Sequence, residues 1–280
     1  MIQLFADSTC DLSHEELKQL DIQTLPLTIH FGQDSFRDGI DLDSESFYIK
    51  LAKATELPTT SQVTPGAFEA AFRPILESGK ELVVITLASG LSATYQSAVL
   101  AKEAIGSDKV HVVDSMSGSF GHSLLLHYAV KLRDEGKLTA REIADELNSI
   151  APRIRLYAVV DTLKYLKMGG RLSGSAALIG GLLGIKPLIS VQEGKVHNIG
   201  KIRGERNVIK SLLEHFLAAK PDLKYGVSFG NSVAKPLMAQ TIEQFKPHLG
   251  GIPIYEGNLG AVIGTHTGPG VVGVGFVVQE

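Results

Sequence analysis

Apolar runs typical of buried β-strands alternate with helical patterns through the first half of the chain. The runs are Ile2–Ala6, Glu81–Leu87 and Lys109–Asp114, and helices follow near Ser92 and Ser119. Parallel strands need long crossover connections, which are usually helices, whereas antiparallel strands can be joined by short turns. The alternation therefore predicts a largely parallel sheet with flanking helices.

The start of another helix is indicated by its capping residue. Thr64 is a good N-cap residue, and Pro65 follows at the one helical position that readily accepts proline. Pro74 lies further along the same segment. Because an interior proline removes a hydrogen bond and crowds the preceding turn, we expect this helix to end or kink near Pro74.

The pattern changes after residue 155. Glycine becomes dense between Gly169 and Gly184, two strands follow around a turn at 192–195, and the last strand covers Val271–Val278. A chain of 280 residues is longer than most single domains. We predict two α/β domains, 1–155 with a mainly parallel sheet and 156–280 with a mixed sheet, and a ligand between or within them.

The composition is that of a globular protein, with 44% hydrophobic and 20% charged residues, which excludes a disordered chain. The 27 basic and 30 acidic residues leave a net charge of −3, so no nucleic-acid partner is expected. Cys10 is the single cysteine, which excludes internal disulfides and fits a reducing compartment. Since neither a signal peptide nor a membrane-spanning stretch is visible, we expect a cytoplasmic protein.

Two motif matches are explained better by local structure than by chemistry. Gly268–Gly273 matches G-x-G-x-x-G, but the dinucleotide motif is followed by a helix and this segment by a predicted strand. Asp7–Asp11 could suggest a nucleophile or an acidic metal site, but a turn whose side chains bond backbone amides explains it better. The nine histidines form no H-x-x-x-H pair, so we expect no metal site.

Three segments rich in hydroxyl groups, Thr59–Gly66, Ser89–Ser97 and Gly264–Gly270, are predicted as loops. In open parallel sheets, ligands bind beyond the carboxyl ends of the strands, where helix N-termini supply free amides. Each Ser or Thr alone could equally be a helix cap. Together, the segments predict a site for a small anion, such as a carboxylate or phosphate, held by Thr60, Ser61, Ser92 and His266.

Two arginines of the second half lie in basic segments that contain glycine. Arg171 belongs to Leu163–Ser173, and Arg203 follows the predicted hairpin. A solvated basic face is one explanation of these segments. The other is a patch that meets phosphate or an acidic partner, because the guanidinium group binds two phosphate oxygens at once.

At these residues the sequence resembles the bacterial DegV family, the fatty-acid-binding proteins of the FakB type. Val63 stands where the family usually has proline, and Ala88 and Ala93 replace the usual serine and glycine. The matching motifs follow the family's order over nearly the whole chain and are Asp7-Ser8-Thr9-x-Asp11-Leu12, Thr60-Ser61-Gln62, Ser89-Gly90-Leu91-Ser92-x-Thr94-Tyr95-Gln96-Ser97, Leu163-Lys164-Tyr165-Leu166-Lys167-x-Gly169-Gly170-Arg171, Ile185-Lys186-Pro187 and Gly264-Thr265-His266-Thr267-Gly268-Pro269-Gly270.

The resemblance implies a two-domain α/β protein that buries a long-chain fatty acid. Its carboxylate would be held by Thr60 or Ser61 and by Ser92, with His266 nearby. The resemblance also implies that the protein is not itself the catalyst: a separate ATP-dependent fatty acid kinase phosphorylates the bound carboxylate, and the acyl-phosphate feeds phospholipid synthesis. We expect Arg171 and Arg203 to contact that partner or the phosphate, with no further cofactor and with transient membrane contact possible.

Two other functions are compatible with the residues. One is a hydrolase or transferase acting on a small anionic metabolite, with Ser92 as the nucleophile and His266 as the base. The other is a regulatory module whose ligand controls a partner. The apolar segment Ser175–Leu188 could line a tunnel for an acyl chain, which would favour the fatty-acid carrier over both.

Overall fold

Strands and helices alternate along the chain as the sequence predicts. The computed structural model describes residues 1–174 and 184–280. Its strands are β1 (Ile2–Asp7), β2 (Ile22–Leu25), β3 (Thr28–Phe31), β4 (Asp34–Arg37), β5 (Thr59–Ser61), β6 (Glu81–Thr86), β7 (Val110–Asp114), β8 (Ile154–Val159), β9 (Ile185–Gln192), β10 (Lys195–Arg203), β11 (Val227–Asn231), β12 (Ile254–Asn258) and β13 (Val272–Val277). Its helices are α1 (His14–Gln19), α2 (Ser44–Lys53), α3 (Pro65–Glu77), α4 (Thr94–Ile105), α5 (Phe120–Glu135), α6 (Ala140–Ile150), α7 (Lys164–Met168), α8 (Arg206–Ala218), α9 (Lys235–Phe245) and α10 (Ala261–Thr267).

The first half is built on a four-stranded parallel sheet in the order β2-β1-β6-β7. Alternate side chains of β1 point to opposite faces, as a strand requires. Leu4 packs with apolar residues of α5 and α6, and Phe5 packs with Phe68 and Phe72 of α3. Both faces are therefore covered by helices, and the prediction of a parallel sheet with flanking helices is confirmed.

The second half is built on a six-stranded mixed sheet in the order β10-β9-β8-β13-β11-β12. Its strand pairs are antiparallel except β11 with β12. Helices α8 and α9 cover one face through Phe216 and Phe245, while Leu156, Ile189 and Val191 lie in a separate cluster on the other face. The predicted mixed sheet is confirmed, and one face of it is turned toward the first half of the chain. The boundary placed between residues 155 and 156 stays a prediction.

Phe120 joins the two halves at the start of α5. Its ring lies against Gly230 of β11 and Gly273 of β13, where a Cβ atom would come within 2.0 and 2.7 Å of the ring. Only strands without side chains at these positions leave room for an aromatic ring this close to the sheet. The side chain is 4% exposed, so the contact is part of the core between the sheets.

Helix α3 ends at Glu77, three residues after Pro74, as the expectation of an end near that proline allows. Two of the three segments predicted as loops contain regular structure that the sequence does not indicate. Thr59–Ser61 of the first segment is strand β5, which pairs with β3. The segment Gly264–Gly270 is not all loop: its first four residues are the end of α10, a helix that packs against α2 and α7. Sequence signals for that helix are weak, because its capping groups come from elsewhere in the chain.

Within the described parts of the chain, no helix combines the length and the apolar character that crossing a bilayer requires. The cytoplasmic location stays a prediction.

Candidate functional site

A cavity of about 370 Å³ lies between the two halves of the molecule. That volume is within the range of small-molecule binding pockets, about 300–1,000 Å³. The free face of the six-stranded sheet forms one apolar wall, and the other apolar side chains come from α5, α7, α10 and several loops, among them the loop after β6. The apolar lining residues are Leu156, Ala158, Ile189, Val191, Val196, Leu27, Leu87, Leu91, Ala93, Phe120, Leu166, Leu259, Val262, Ile263 and Val271.

The expected tunnel segment Ser175–Leu188 falls largely on residues 175–183, which lie outside the described residues. Beyond that segment, β9 contributes Ile189 and Val191 to the cavity wall.

The cavity is also lined by polar side chains, and all four predicted anion-binding residues are among them. Thr60, Ser61, Ser92 and His266 line this one cavity although they come from β5, the loop before α4, and α10. One hydrogen bond joins two of these four residues: Thr60 Oγ1 and His266 Nε2 are 2.9 Å apart. The structure therefore places the predicted donors around one space.

His266 is neutral over the physiological pH range. Burial, with a smaller contribution from the Arg171 guanidinium, lowers the pKa of His266 to about 4. Its Nδ1 atom is buried without a hydrogen-bond partner among the described residues. A buried acceptor without a partner costs less than a buried N–H without one. This favours the tautomer in which Nε2–H donates to Thr60, which leaves the Thr60 hydroxyl proton free for a ligand.

The two serines are held by neighbouring polar groups. Ser61 Oγ lies 2.6 Å from His30 Nε2, at the exposed end of β5. Ser92 Oγ lies 2.9 Å from Thr94 Oγ1 and accepts a hydrogen bond from the Thr94 amide at 3.2 Å. The N-cap position of α4 is occupied by Ala93, so Ser92 is not the cap itself. It accepts from the first amide of the helix and also lines the cavity.

Arg171 also reaches the cavity, beside His266. Its Nε donates to the Leu91 carbonyl oxygen at 3.1 Å, and its Nη1 donates to the Gly169 carbonyl oxygen. Gly169 in turn lies directly on the histidine, since a Cβ atom there would be 2.3 Å from His266 Nδ1. The glycine lets the chain before Arg171 pass close over the imidazole ring, so this motif positions both the neutral His266 side chain and the Arg171 guanidinium.

Arg203 is placed apart from these residues. It is exposed at the end of β10, where it pairs with Ile185, and it does not line the cavity. The sequence grouped Arg171 and Arg203 together, but only Arg171 lies beside the predicted anion-binding residues. A contact of either arginine with a partner stays a prediction.

The sequence model of the DegV family matches residues 1–279. The chain belongs to the DegV family. A DegV domain-containing protein of Caldanaerobacter subterraneus is 32% identical to it over 276 residues, which is 98% of each chain.

Two solved DegV structures share the fold over their whole length. The DegV family protein of Thermus thermophilus, described as fatty-acid binding, matches with a TM-score of 0.88 and 30% identity over 99% of both chains. DegV of Bacillus subtilis, described as a fatty acid binding protein, matches with a TM-score of 0.85 and 30% identity, again over 99% of both chains. The DegV fold of this chain is thus that of fatty-acid-binding relatives.

Sequence reasoning did not assign three polar residues that line the cavity in this DegV chain: Gln62, Ser119 and Thr267. Thr267 donates from Oγ1 to the Ile263 carbonyl oxygen at 3.0 Å. Gln62 follows the predicted pair Thr60 and Ser61 and donates from Nε2 to Ser97 Oγ at 2.9 Å. Ser119 precedes α5 and donates to an Asp11 carboxylate oxygen. Gln62 stands inside a family motif and could have been included, whereas Ser119 carried only the signal of a helix start.

The enzyme alternative needs Ser92 as a nucleophile activated by His266 as a base. In this DegV chain His266 Nε2 faces Thr60, and Ser92 faces Thr94. A histidine with a pKa of about 4 is also a weak base at neutral pH. Among residues 1–174 and 184–280, no three His, Cys, Asp or Glu side chains are grouped to hold a metal ion. The geometry is better suited to binding than to this reaction.

Proposed function

We propose that this protein binds a long-chain fatty acid, with the acyl chain against the free face of the six-stranded sheet and the carboxylate among the polar lining residues. One observation carries the proposal: an apolar cavity between two domains has neutral hydroxyl donors and one arginine in its lining. A fatty acid has the matching chemistry, a long apolar chain that ends in a single anionic group. The fatty-acid-binding relatives support the same assignment.

Apolar burial supplies the affinity. Each buried methylene contributes ~0.8 kcal/mol, so a chain of about 16 carbons has an upper bound near ~12 kcal/mol. The cost of immobilising the ligand and of dehydrating its carboxylate lowers this value. The remainder still supports a ligand that stays bound through purification.

The carboxylate is held by hydrogen bonds from neutral groups in this proposal. The hydroxyl groups of Thr60 and Ser92 donate to it, and neutral His266 orients Thr60. Ser61, the next residue of β5, contacts His30 instead. Hydrogen bonds to a charged group contribute about 1.5–3 kcal/mol each, more than bonds between neutral groups. Arg171 lies close enough to His266 to perturb its pKa, so it also attracts an anion toward this end of the cavity.

We further propose that the bound fatty acid is presented to a separate ATP-dependent kinase, which forms the acyl-phosphate used in phospholipid synthesis. The family resemblance supports this step. Arg171 and Arg203 are proposed to contact the kinase or the transferred phosphate, since a guanidinium group stays charged and binds two oxygens at once.

Lipid extraction of the purified protein, followed by mass spectrometry, tests the proposed ligand. We expect about one fatty acid per protein chain in material purified without added lipid. Protein that carries no fatty acid, and takes up neither palmitate nor oleate after delipidation, would overturn the proposal.

A further inference from the structure

Helix α10 carries His266 but lacks the features that make a short helix stable. It has seven residues, and its N-cap residue, Gly260, has no side chain with which to cap it. Isolated helices shorter than about 12 residues are marginal even in favourable sequences. Val262 and Ile263 are β-branched, and Gly264 lies in the helix interior, which lowers the intrinsic propensity further. Something outside the helix must therefore hold it.

Two aspartates from the first half of the chain perform this capping. Asp11 Oδ1 accepts a hydrogen bond from the Gly260 amide at 3.0 Å, and Asp38 Oδ1 accepts one from the Ala261 amide at 3.1 Å. The partners are 249 and 223 residues apart in sequence. Carboxylates are good partners for the free amides and the positive end of a helix dipole. The helix that presents His266 is thus capped by groups of the other domain.

The same carboxylates are fixed by hydroxyl groups on their other side. Asp38 Oδ2 accepts a hydrogen bond from Ser8 Oγ at 2.8 Å. Asp11 Oδ2 accepts one from Ser119, which itself lines the ligand cavity. Asp11 therefore contacts the start of α10 on one side and a cavity-lining residue on the other.

Keeping these carboxylates buried is unfavourable for the fold. Burial raises the pKa of Asp11 well above its usual value and that of Asp38 to about 6. Neither takes part in an ion pair with any described residue. The titratable groups that surround them or line the crevice they share are Asp7, Cys10, His14, Glu16, Asp43, Tyr48 and Glu256. The surroundings of the two carboxylates are therefore mostly acidic.

We propose that Asp11 and Asp38 are positioning residues of the ligand site: they hold α10 so that His266 meets Thr60 at the cavity wall. The inference rests on the proposed fatty-acid function. Loss of either carboxylate frees the start of α10 and lets His266 leave its place, so the ligand binds more weakly even when the protein stays folded.

The test is a binding titration of the delipidated full chain with cis-parinaric acid, a fluorescent long-chain fatty acid. Asp11→Ala and Asp38→Ala are expected to weaken binding roughly tenfold. The free energy lost with a helix cap then has to be supplied by the ligand when it orders α10. Asp11→Asn and Asp38→Asn keep an acceptor oxygen and should restore most of the affinity, with a higher melting temperature at neutral pH.

Asp43→Ala is the matched control. Asp43 lines the same crevice and caps α2 by accepting from the Ser46 amide at 2.7 Å, but it accepts no hydrogen bond from the described residues of α10. This variant should lose stability and keep its affinity. The inference is overturned if the two alanine variants bind as tightly as the parent, or if Asp43→Ala loses as much affinity as they do.

A second measurement uses the parent protein and does not depend on how the variants fold. Because coupling between sites is reciprocal, bound cis-parinaric acid should slow hydrogen exchange at the Gly260 and Ala261 amides. Unchanged exchange at both amides, with the ligand bound, would overturn the inference. A parent protein that binds no cis-parinaric acid would instead overturn the proposed function.

Discussion

The contact between Thr60 and His266 is the smallest unit of the proposed site. The two residues are 206 positions apart in sequence and meet at 2.9 Å. His266 is neutral, so its contribution is to orient the Thr60 hydroxyl rather than to pair with the ligand as a cation.

Removing either partner should weaken fatty-acid binding. We expect Thr60→Val to cost about 1.5–3 kcal/mol of binding free energy, because a buried carboxylate loses a hydrogen bond. His266→Ala should cost less, because the Thr60 hydroxyl group remains but is no longer oriented. Titration calorimetry with oleate measures this. Thr60→Ser keeps the hydroxyl group and is the control, expected to bind within a few-fold of the parent. Parent-like affinity in both Thr60→Val and His266→Ala would remove this pair from the site.

Gly169 is a second position where one atom decides the geometry. A Cβ atom at this position would lie 2.3 Å from His266 Nδ1, which is closer than packed atoms approach. We therefore expect Gly169→Ala to displace the imidazole ring and weaken oleate binding about tenfold or more. Gly66→Ala is the matched control, because nothing lies within 4 Å of its Cβ position, and it should leave binding unchanged. Equal affinity of the two variants would contradict the close packing of Gly169 on His266.

For single residues, the sequence identified which side chains line the proposed site but not most of their hydrogen-bond partners. Thr60, Ser61, Ser92 and His266 were found because hydroxyl-rich segments and family motifs mark them. The pairing of Asp11 with Gly260 could not be found, because it joins residues 249 positions apart and no spacing rule covers that distance. The interpretation of Asp7–Asp11 as an amide-binding turn is confirmed: Asp7 accepts from the Thr9 and Leu87 amides, and Asp11 from Gly260.

Among the helices, those with caps in their own sequence were predictable. Helix α3 begins after Thr64, whose hydroxyl oxygen accepts from the Ala67 amide, as its sequence signal indicated. Helix α10 was missed because its capping carboxylates belong to another part of the chain, leaving only the glycines and threonines that suggested a loop. Helix α3 also ends within one turn of Pro74, at Glu77, where the local cost of an interior proline predicted an end.

The capping of α10 has a consequence for stability as a function of pH. The pKa of Asp38 is about 6 in the folded protein and 3.8 as its ordinary value. The folded state therefore binds the proton more tightly than the unfolded state, and stability falls as pH rises from about 4 to 6. The penalty from Asp38 at neutral pH is on the order of 1–3 kcal/mol.

Asp38→Asn should remove that part of the pH dependence. We expect the variant to gain stability relative to the parent at pH 7 and to lose that advantage near pH 4. Urea denaturation at both pH values measures the difference. A parent and variant whose difference in free energy of unfolding is the same at the two pH values would show that Asp38 does not carry the raised pKa.

On the scale of the whole molecule, the fold brings two sheets together around one ligand cavity. The parallel sheet and its helices were predictable, because periodic apolar runs report burial directly. The sequence also predicted that the second sheet is mixed. It did not predict that Phe120 packs against the glycines of β11 and β13. That packing depends on matching an aromatic ring to side-chain-free strands over long sequence distances.

Docking of a kinase partner is also a whole-molecule property. Arg203→Ala should keep oleate binding near normal but reduce kinase-dependent phosphorylation. Arg171→Ala should also reduce phosphorylation and, because Arg171 lines the cavity beside His266, should weaken oleate binding as well. Phosphorylation of the fatty acid bound to the parent protein should fall as the salt concentration rises, because exposed charge contacts with the kinase are screened. Phosphorylation with the variants should depend less on salt. Phosphorylation assays with the kinase at low and high salt measure both effects. If either variant loses bound fatty acid with kinase coupling intact, that arginine belongs to the carboxylate site instead.

A crystal structure of the protein with oleate bound tests the proposed ligand site most directly. We predict continuous density for the acyl chain along Leu156, Ile189 and Val191, with the carboxylate within hydrogen-bond distance of the Thr60 and Ser92 hydroxyl groups. An empty cavity, or an acyl chain whose carboxylate lies against the sheet and away from Thr60 and His266, would contradict the proposed site.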